Sequence, residues 1–177
     1  MGLGGGMASS EGRRILVAVD EGDESVHALR WCLSTFAAAA RGDTVILLYV
    51  RPAPPTYSVL DASAAVGYLF AEEVSAAIDR YSREVADAVV EKAQKLCTLY
   101  NKEMGENNDH EMKVEVKVAV GDARSIICQM ADKLGADILV MGSHGYGFFK
   151  RALLGSVSDY CLRNSTCPVL IVKSQHE

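Results

Sequence analysis

No apolar run in this chain approaches the ~18 residues that would suggest a membrane span. The glycine-rich start, MGLGGGMASS, likewise lacks the hydrophobic core a signal peptide needs. We therefore expect a soluble, unexported, cytoplasmic protein with no membrane partner. Gly2 is followed at the sixth position by Gly6, where a myristoylation site would have Ser or Thr, which argues against a lipid anchor. Basic surplus is missing too. The net charge is -5 and Lys and Arg are scattered, which speaks against nucleic acid as the main partner. The five cysteines (Cys32, Cys97, Cys128, Cys161, Cys167) contain no C-x-x-C pair and no His partners at metal-ligand spacing, so no metal site is expected. Four fall in periodic or strand-flanking segments, where a buried reduced thiol is the common outcome. A reducing compartment fits that pattern.

Motifs of the commoner phosphate enzymes are also absent. There is no G-x-x-x-x-G-K-[ST], which excludes a P-loop ATPase. No Ser/His/Asp set or carboxylate pair has readable spacing, and nothing resembles a general base poised over a phosphate. No catalytic residue is assigned.

With 177 residues, 49% of them hydrophobic, the chain has room for one domain with a substantial core, burying roughly 70% of its unfolded surface. Residues 1–12 read as a flexible tail and 13–174 as the single domain. Ile15 to Val19 has the pattern of a buried strand and ends at Asp20 and a polar turn. Asp23 or Ser25 then caps a helix with Val26, Leu29, Leu33 and Phe36 at helical spacing. Thr44 to Val50 is the next strand and completes a β-α-β unit. Arg51 to Phe70, with three prolines in its first five positions, is read as a long connection. It is either a lid or a surface excursion in which Tyr68, Leu69 and Phe70 begin the next helix.

From Glu72 to about Tyr100, Val74, Ile78, Tyr81, Val85, Val89, Leu96 and Tyr100 make one apolar stripe, expected to be core, on a helix whose first turns overhang. A polar loop, Asn101 to Met112, separates it from Lys113 to Val120. There Val114, Val116, Val118 and Val120 alternate with Lys113, Glu115 and Lys117, as in a half-exposed edge strand. Gly121-Asp122 starts a helix bearing Ile126, Ile127, Met130 and Leu134, which stops at Gly135. Strand and helix alternate throughout, so the expected fold class is α/β, an open five-stranded parallel sheet with helices on both faces. Ligands of such sheets bind beyond the carboxyl ends of the strands, where strand order reverses.

The stretch from Asp137 to Ser158, DILVMGSHGYGFFKRALLGSVS, carries the functional signal. Ile138 to Met141 is a buried-strand run that stops at Gly142, with Gly145 and Gly147 close behind. Gly155, Ser156, Val157 and Ser158 then open a second helix. Glycines can turn sharply and aim their N–H groups at a ligand, and a helix N-terminus offers unpaired N–H groups and partial positive charge. Strand, glycine loop and helix start together suit a phosphate. The bland alternative is a tight strand-helix turn.

The spacing Gly142-x2-Gly145-x9-Gly155-Ser156 resembles the nucleotide-binding signature of the universal stress proteins. The likeness extends from about Arg13 to Lys173 and includes Ile15-Leu16-Val17-Ala18-Val19-Asp20 and Cys167-Pro168-Val169-Leu170-Ile171-Val172. The resemblance implies a Rossmann-like sheet in strand order 3-2-1-4-5 and an adenine nucleotide ligand, ATP or AMP/ADP, with or without Mg2+. By that resemblance Gly142, Gly145, Gly155 and Ser156 contact phosphate and ribose, Val157 and Ser158 continue the match, and Met141 belongs to the same site. Ala18 and Asp20 lie beside the nucleoside, and the backbone of Val50 pairs with the adenine edge. Asp20 either holds a ribose hydroxyl or positions a phosphate-borne metal, or is simply a helix-capping carboxylate. His144 either donates to a phosphate or is a surface histidine. Lys150 and Arg151 either neutralise a triphosphate or, as the preferred reading, form the solvated face of a short helical turn, and His27, His110 and His176 have no evident partners. The resemblance also implies a homodimer through Val169 to Val172 and an unidentified protein partner. The expected function is a nucleotide-binding stress-response module; the alternatives are a slow ATPase or phosphotransferase needing a partner, and a nucleotide-free dimeric scaffold.

Overall fold

The structure is a computed structural model that describes residues 12–36, 42–54, 65–105, 112–144 and 154–174. The tail expected over 1–12, all but Gly12, lies outside the described residues. So do Gly145, Gly147, Lys150, Arg151, His110 and His176.

The chain alternates as expected: β1 (Arg14–Ala18), α1 (Asp23–Phe36), β2 (Thr44–Arg51), α2 (Ala65–Gly105), β3 (Lys113–Val120), α3 (Ala123–Lys133), β4 (Ile138–Gly142), α4 (Ser156–Asn164) and β5 (Val169–Val172). The strands form one parallel sheet in the order β3-β2-β1-β4-β5. Strand order therefore reverses at β1, which pairs with β2 on one side and β4 on the other.

Successive side chains of a strand point to opposite faces, and a sheet covered on both faces buries both sets. β1 shows this directly. Ile15, Val17 and Val19 pack with Leu29, Leu33, Ala86 and Ala93 under α1 and α2. Leu16 and Ala18 pack with Ile127, Ala131 and Cys161 under α3 and α4. Each fully buried aliphatic side chain contributes about 1.5–3 kcal/mol, so the two apolar layers hold the central strands in register. α3 ends where Gly135 adopts φ +58, a left-handed conformation suited to a residue without a Cβ.

Several readings need correction. α2 begins at Ala65, before Glu72, and runs to Gly105. The connection after β2 is therefore shorter than Arg51 to Phe70, and Tyr68, Leu69 and Phe70 belong to the helix, as one of the two readings of that segment expects. The run Ala65-Val66-Gly67-Tyr68-Leu69-Phe70-Ala71 is apolar throughout, so it has no polar face to reveal a helical period. Asn101 likewise sits in the last turns of α2, and its side-chain amide donates to the Met112 carbonyl (3.0 Å).

The α2 stripe is core only in its lower part. Val85, Val89, Leu96 and Tyr100 pack on the sheet, whereas Val74, Ile78 and Tyr81 are exposed. β3 is an edge strand as expected, and Val114 and Val116 meet the core. Val118 and Val120 do not; both are exposed.

Finally, α1 takes Asp23 as its first residue, and Ser25 stands inside its first turn.

Candidate functional site

A cleft of about 230 Å³ opens at the carboxyl ends of β1, β2 and β4. This is the switch point of the sheet, where open α/β folds place ligands. Ala18, Leu48, Val50, Ile127, Met141 and Val157 give it an apolar lining. Asp20, Glu21, Ser25, Tyr49, His144 and Ser158 bring polar groups to it.

Asp20 stands in the β1–α1 turn, which is tied by its own hydrogen bonds. The Asp20 N–H donates to Ser25 Oγ (3.1 Å), and the Gly22 N–H donates to Asp20 Oδ1 (2.9 Å). The Ser25 hydroxyl in turn donates to the carbonyls of Asp20 (3.1 Å) or Gly22 (3.0 Å). Asp20 thus does the work of a turn carboxylate while also lining the cleft. The next residue is anchored across strands: the Tyr49 hydroxyl donates to Glu21 Oε1 (2.6 Å). Burial, and then the bond to Glu21, push the ionisation of Tyr49 upward, so the phenol stays a donor.

On the opposite wall, the exit of β4 is joined to the start of α4. The Ser143 carbonyl accepts from the Gly155 N–H (2.7 Å) and from the Ser158 hydroxyl (2.8 Å). Gly155 is the N-cap of α4, with φ -69 and ψ 158 and no side chain to occupy the orphan N–H groups behind it. A third tie comes from Glu24 in the first turn of α1. Its carboxylate accepts from the Ser143 hydroxyl (3.1 Å) and from the Ser174 hydroxyl and N–H beyond β5. Ser143 Oγ also lies 3.1 Å from His144 Nδ1.

Of the residues expected in the site, Ala18, Asp20, Val50, Met141, Gly142, His144, Val157 and Ser158 line this cleft. Gly155 and Ser156 form the start of α4 beside it without lining it. Gly145 lies outside the described residues. The expectation missed Glu21, Tyr49, Ser25, Ala123 and Ile127. Ala123 and Ile127 sit on α3, and only the crossing of that helix over the strand ends brings them here. Tyr49 looks like any residue of an apolar run, and its partner Glu21 is 28 positions away.

Gly142 has a role the glycine pattern did not disclose. A Cβ built on it would lie 2.9 Å from the Glu24 backbone carbonyl carbon. Its φ is not positive, so close approach of α1, and not turn geometry, demands glycine here.

The family model for the universal stress protein family matches residues 12–173. The chain belongs to that family. This universal stress protein is 33% identical over 167 residues to universal stress protein PHOS32 of Arabidopsis thaliana, an alignment covering 91% of the chain and 64% of the relative. The chain thus spans less than two thirds of that relative's length. Among solved structures it is similar to MJ0577, a universal stress protein of Methanocaldococcus jannaschii, with a TM-score of 0.61, 25% identity, and coverage of 94% of this chain and 99% of the other. It also shares its fold with an Arabidopsis thaliana family member solved with AMP bound, at a TM-score of 0.58, 20% identity, and coverage of 92% of each chain.

Proposed function

We propose that this universal stress protein binds an adenine nucleotide, ATP or its AMP and ADP relatives, and acts as a regulatory module of the stress response rather than as a dedicated enzyme. The observation that carries this reading is the polarity of the cleft. Carboxylates of Asp20 and Glu21 stand on the β1 side, and the N-terminus of α4, which no side chain caps among the described residues, stands on the other, with an apolar lining between. A nucleotide has that same layout. Its ribose hydroxyls are donors for carboxylates, its base suits an apolar wall beside Val50, and its phosphates suit helix N–H groups.

In this arrangement Asp20 faces the ribose, Met141 and Ala18 flank the nucleoside, and Gly142, Gly155 and Ser156 lie on the phosphate side with His144; Gly145, outside the described residues, is assigned to the phosphate by the sequence resemblance alone. Among the described residues no cluster of His, Cys, Asp and Glu could hold a metal ion, so any Mg2+ would arrive on the phosphates. The AMP-bound Arabidopsis relative has the same fold and supports the reading. Among the described residues β5 pairs with β4 alone, which makes Val169 to Val172 an open edge suited to pairing with a second copy. We place this homodimer in the cytoplasm, with a protein partner that reads the nucleotide state.

The test is to purify the protein without added nucleotide, denature it and identify what is released. Ala123→Trp, which fills the cleft from the first turn of α3, is the control. A stoichiometric adenine nucleotide, lost in the control, is expected. An empty protein that also fails to bind added Mg-ATP overturns the reading, and a monomer by light scattering overturns the dimer.

A further inference from the structure

We propose that Glu21, held in place by Tyr49, is a second ribose-recognising carboxylate, so that the cleft selects ribonucleotides over their deoxy analogues. The inference rests on the nucleotide reading given above and names a residue and a selectivity within that site.

Glu21 and Tyr49 both line the cleft, and they arrive there from different elements, the β1–α1 turn and β2. The Tyr49 side chain is buried, only 4% exposed, while Glu21 is exposed. The tyrosine is therefore the fixed partner and the carboxylate the one it positions, through a 2.6 Å bond to Oε1. The turn carrying Glu21 is itself braced by the bonds among Asp20, Gly22 and Ser25, so the carboxylate has little freedom at either end. An exposed glutamate normally gains nothing from such restraint, because holding it still costs side-chain entropy. Restraint of a polar group at a cleft is what pre-organised binding requires.

Chemistry then narrows the ligand group. An ionised carboxylate only accepts hydrogen bonds, and one Glu21 oxygen is already engaged with Tyr49. Its remaining capacity calls for donors on the ligand. A nucleotide offers donors at the base amino group and the ribose hydroxyls. The cleft beside β1 is bounded by the apolar side chains of Ala18, Leu48 and Val50, where a base fits, whereas Glu21 adjoins Asp20 at the polar turn. Two adjacent carboxylates face the part of a nucleotide with two adjacent hydroxyls. They also repel phosphate, which turns the anionic end toward α4.

The experiment is calorimetric titration of ATP, 2′-deoxy-ATP and 3′-deoxy-ATP into the intact protein, Glu21→Gln and Tyr49→Phe, with thermal melts to verify folding. Because hydrogen bonds to charged groups are the stronger kind, wild type is expected to prefer ATP over at least one deoxy analogue by about ten-fold or more. Glu21→Gln should lose that preference by weakening ATP alone. Tyr49→Phe should reduce it partway, because Glu21 stays but is no longer positioned. Equal affinities for all three nucleotides in wild type, or an unchanged preference in Glu21→Gln, overturns the inference and leaves nucleotide binding standing. A uniform loss across all three ligands in Glu21→Gln overturns it as well, by marking Glu21 as structural. Failure of wild type to bind any of them removes the nucleotide reading and this inference together.

Discussion

Gly142 and Glu24 meet backbone to backbone at the end of β4: a Cβ on the glycine would lie 2.9 Å from the Glu24 carbonyl carbon and 3.0 Å from its oxygen. The glycine that closes β4 is therefore also the seat of α1. Gly142→Ala should destabilise the fold by roughly 1–3 kcal/mol, the usual cost of overpacking. A denaturant midpoint shift without added nucleotide measures it. A stable Gly142→Ala protein would mean that α1 can move aside.

Ser158 is expected to behave as a clasp more than as a ligand group. Its buried hydroxyl donates to Ser143 or Gly155 and joins α4 to the exit of β4. Ser158→Ala should cost about 1 kcal/mol, the net worth of one hydrogen bond. Nucleotide affinity should change far less than in Asp20→Asn. Paired melts and titrations separate the two effects.

Arg51, only 11% exposed at its side chain, fixes α2 to the end of β2 through Asp79 at 2.9 Å. The bond to Arg51, then that to Arg83, holds the Asp79 carboxyl below its ordinary value of 3.8. A depressed carboxyl stabilises the fold above its unfolded value, and that contribution is lost as pH falls through the lower folded value. Asp79→Asn should be less stable than wild type at pH 7, and the gap should close below pH 3.8. Melts across pH 3 to 7 test this.

The thiols should divide into two classes. Burial pushes Cys32 and Cys161 up to about 12 and Cys97 up to about 11, and thiols that remain protonated are poor nucleophiles. At pH 8 a native-state alkylation should label the half-buried Cys128 and Cys167 and spare the other three. Because those three ionise near 9.0 when unfolded, stability should also fall as pH rises from 9.0 toward 11. Mass spectrometry of labelled peptides and alkaline melts read the two effects.

The exposed part of the α2 stripe should tolerate polarity. Val74→Thr, Ile78→Thr and Tyr81→Ser are each expected to change stability by no more than about 0.5 kcal/mol. Val89→Thr, packed against the core, should cost more.

Much of this architecture can be read along the chain. Ile15 to Val19, Thr44 to Val50 and Ile138 to Met141 announce buried parallel strands because neither face is polar. Once they are strands, Asp20, Val50 and Gly142 must lie at carboxyl ends. What the chain hides is contact between distant residues. Glu24 reaches Ser143 and Ser174, 119 and 150 positions away, and no local pattern marks either meeting. The valines of β3 mislead for a related reason. Alternation reports which face a residue is on, and it does not report whether a helix covers that face, so Val118 and Val120 read like Val114 and Val116. α2 misleads at its start because an all-apolar stretch has no period to detect.

The place of β1 between β2 and β4 has a consequence for biosynthesis. Ile15 pairs with Val45 on one edge and with Ile138 on the other. A ribosome working at about 5–20 residues per second needs on the order of 5–19 seconds to pass from one partner to the other. Throughout that interval the central strand of the nascent chain has one edge unpaired, bordered by apolar side chains. Newly made chains should therefore depend most on chaperone shielding before β4 emerges, and truncations ending ahead of Ile138 should aggregate where the full chain folds.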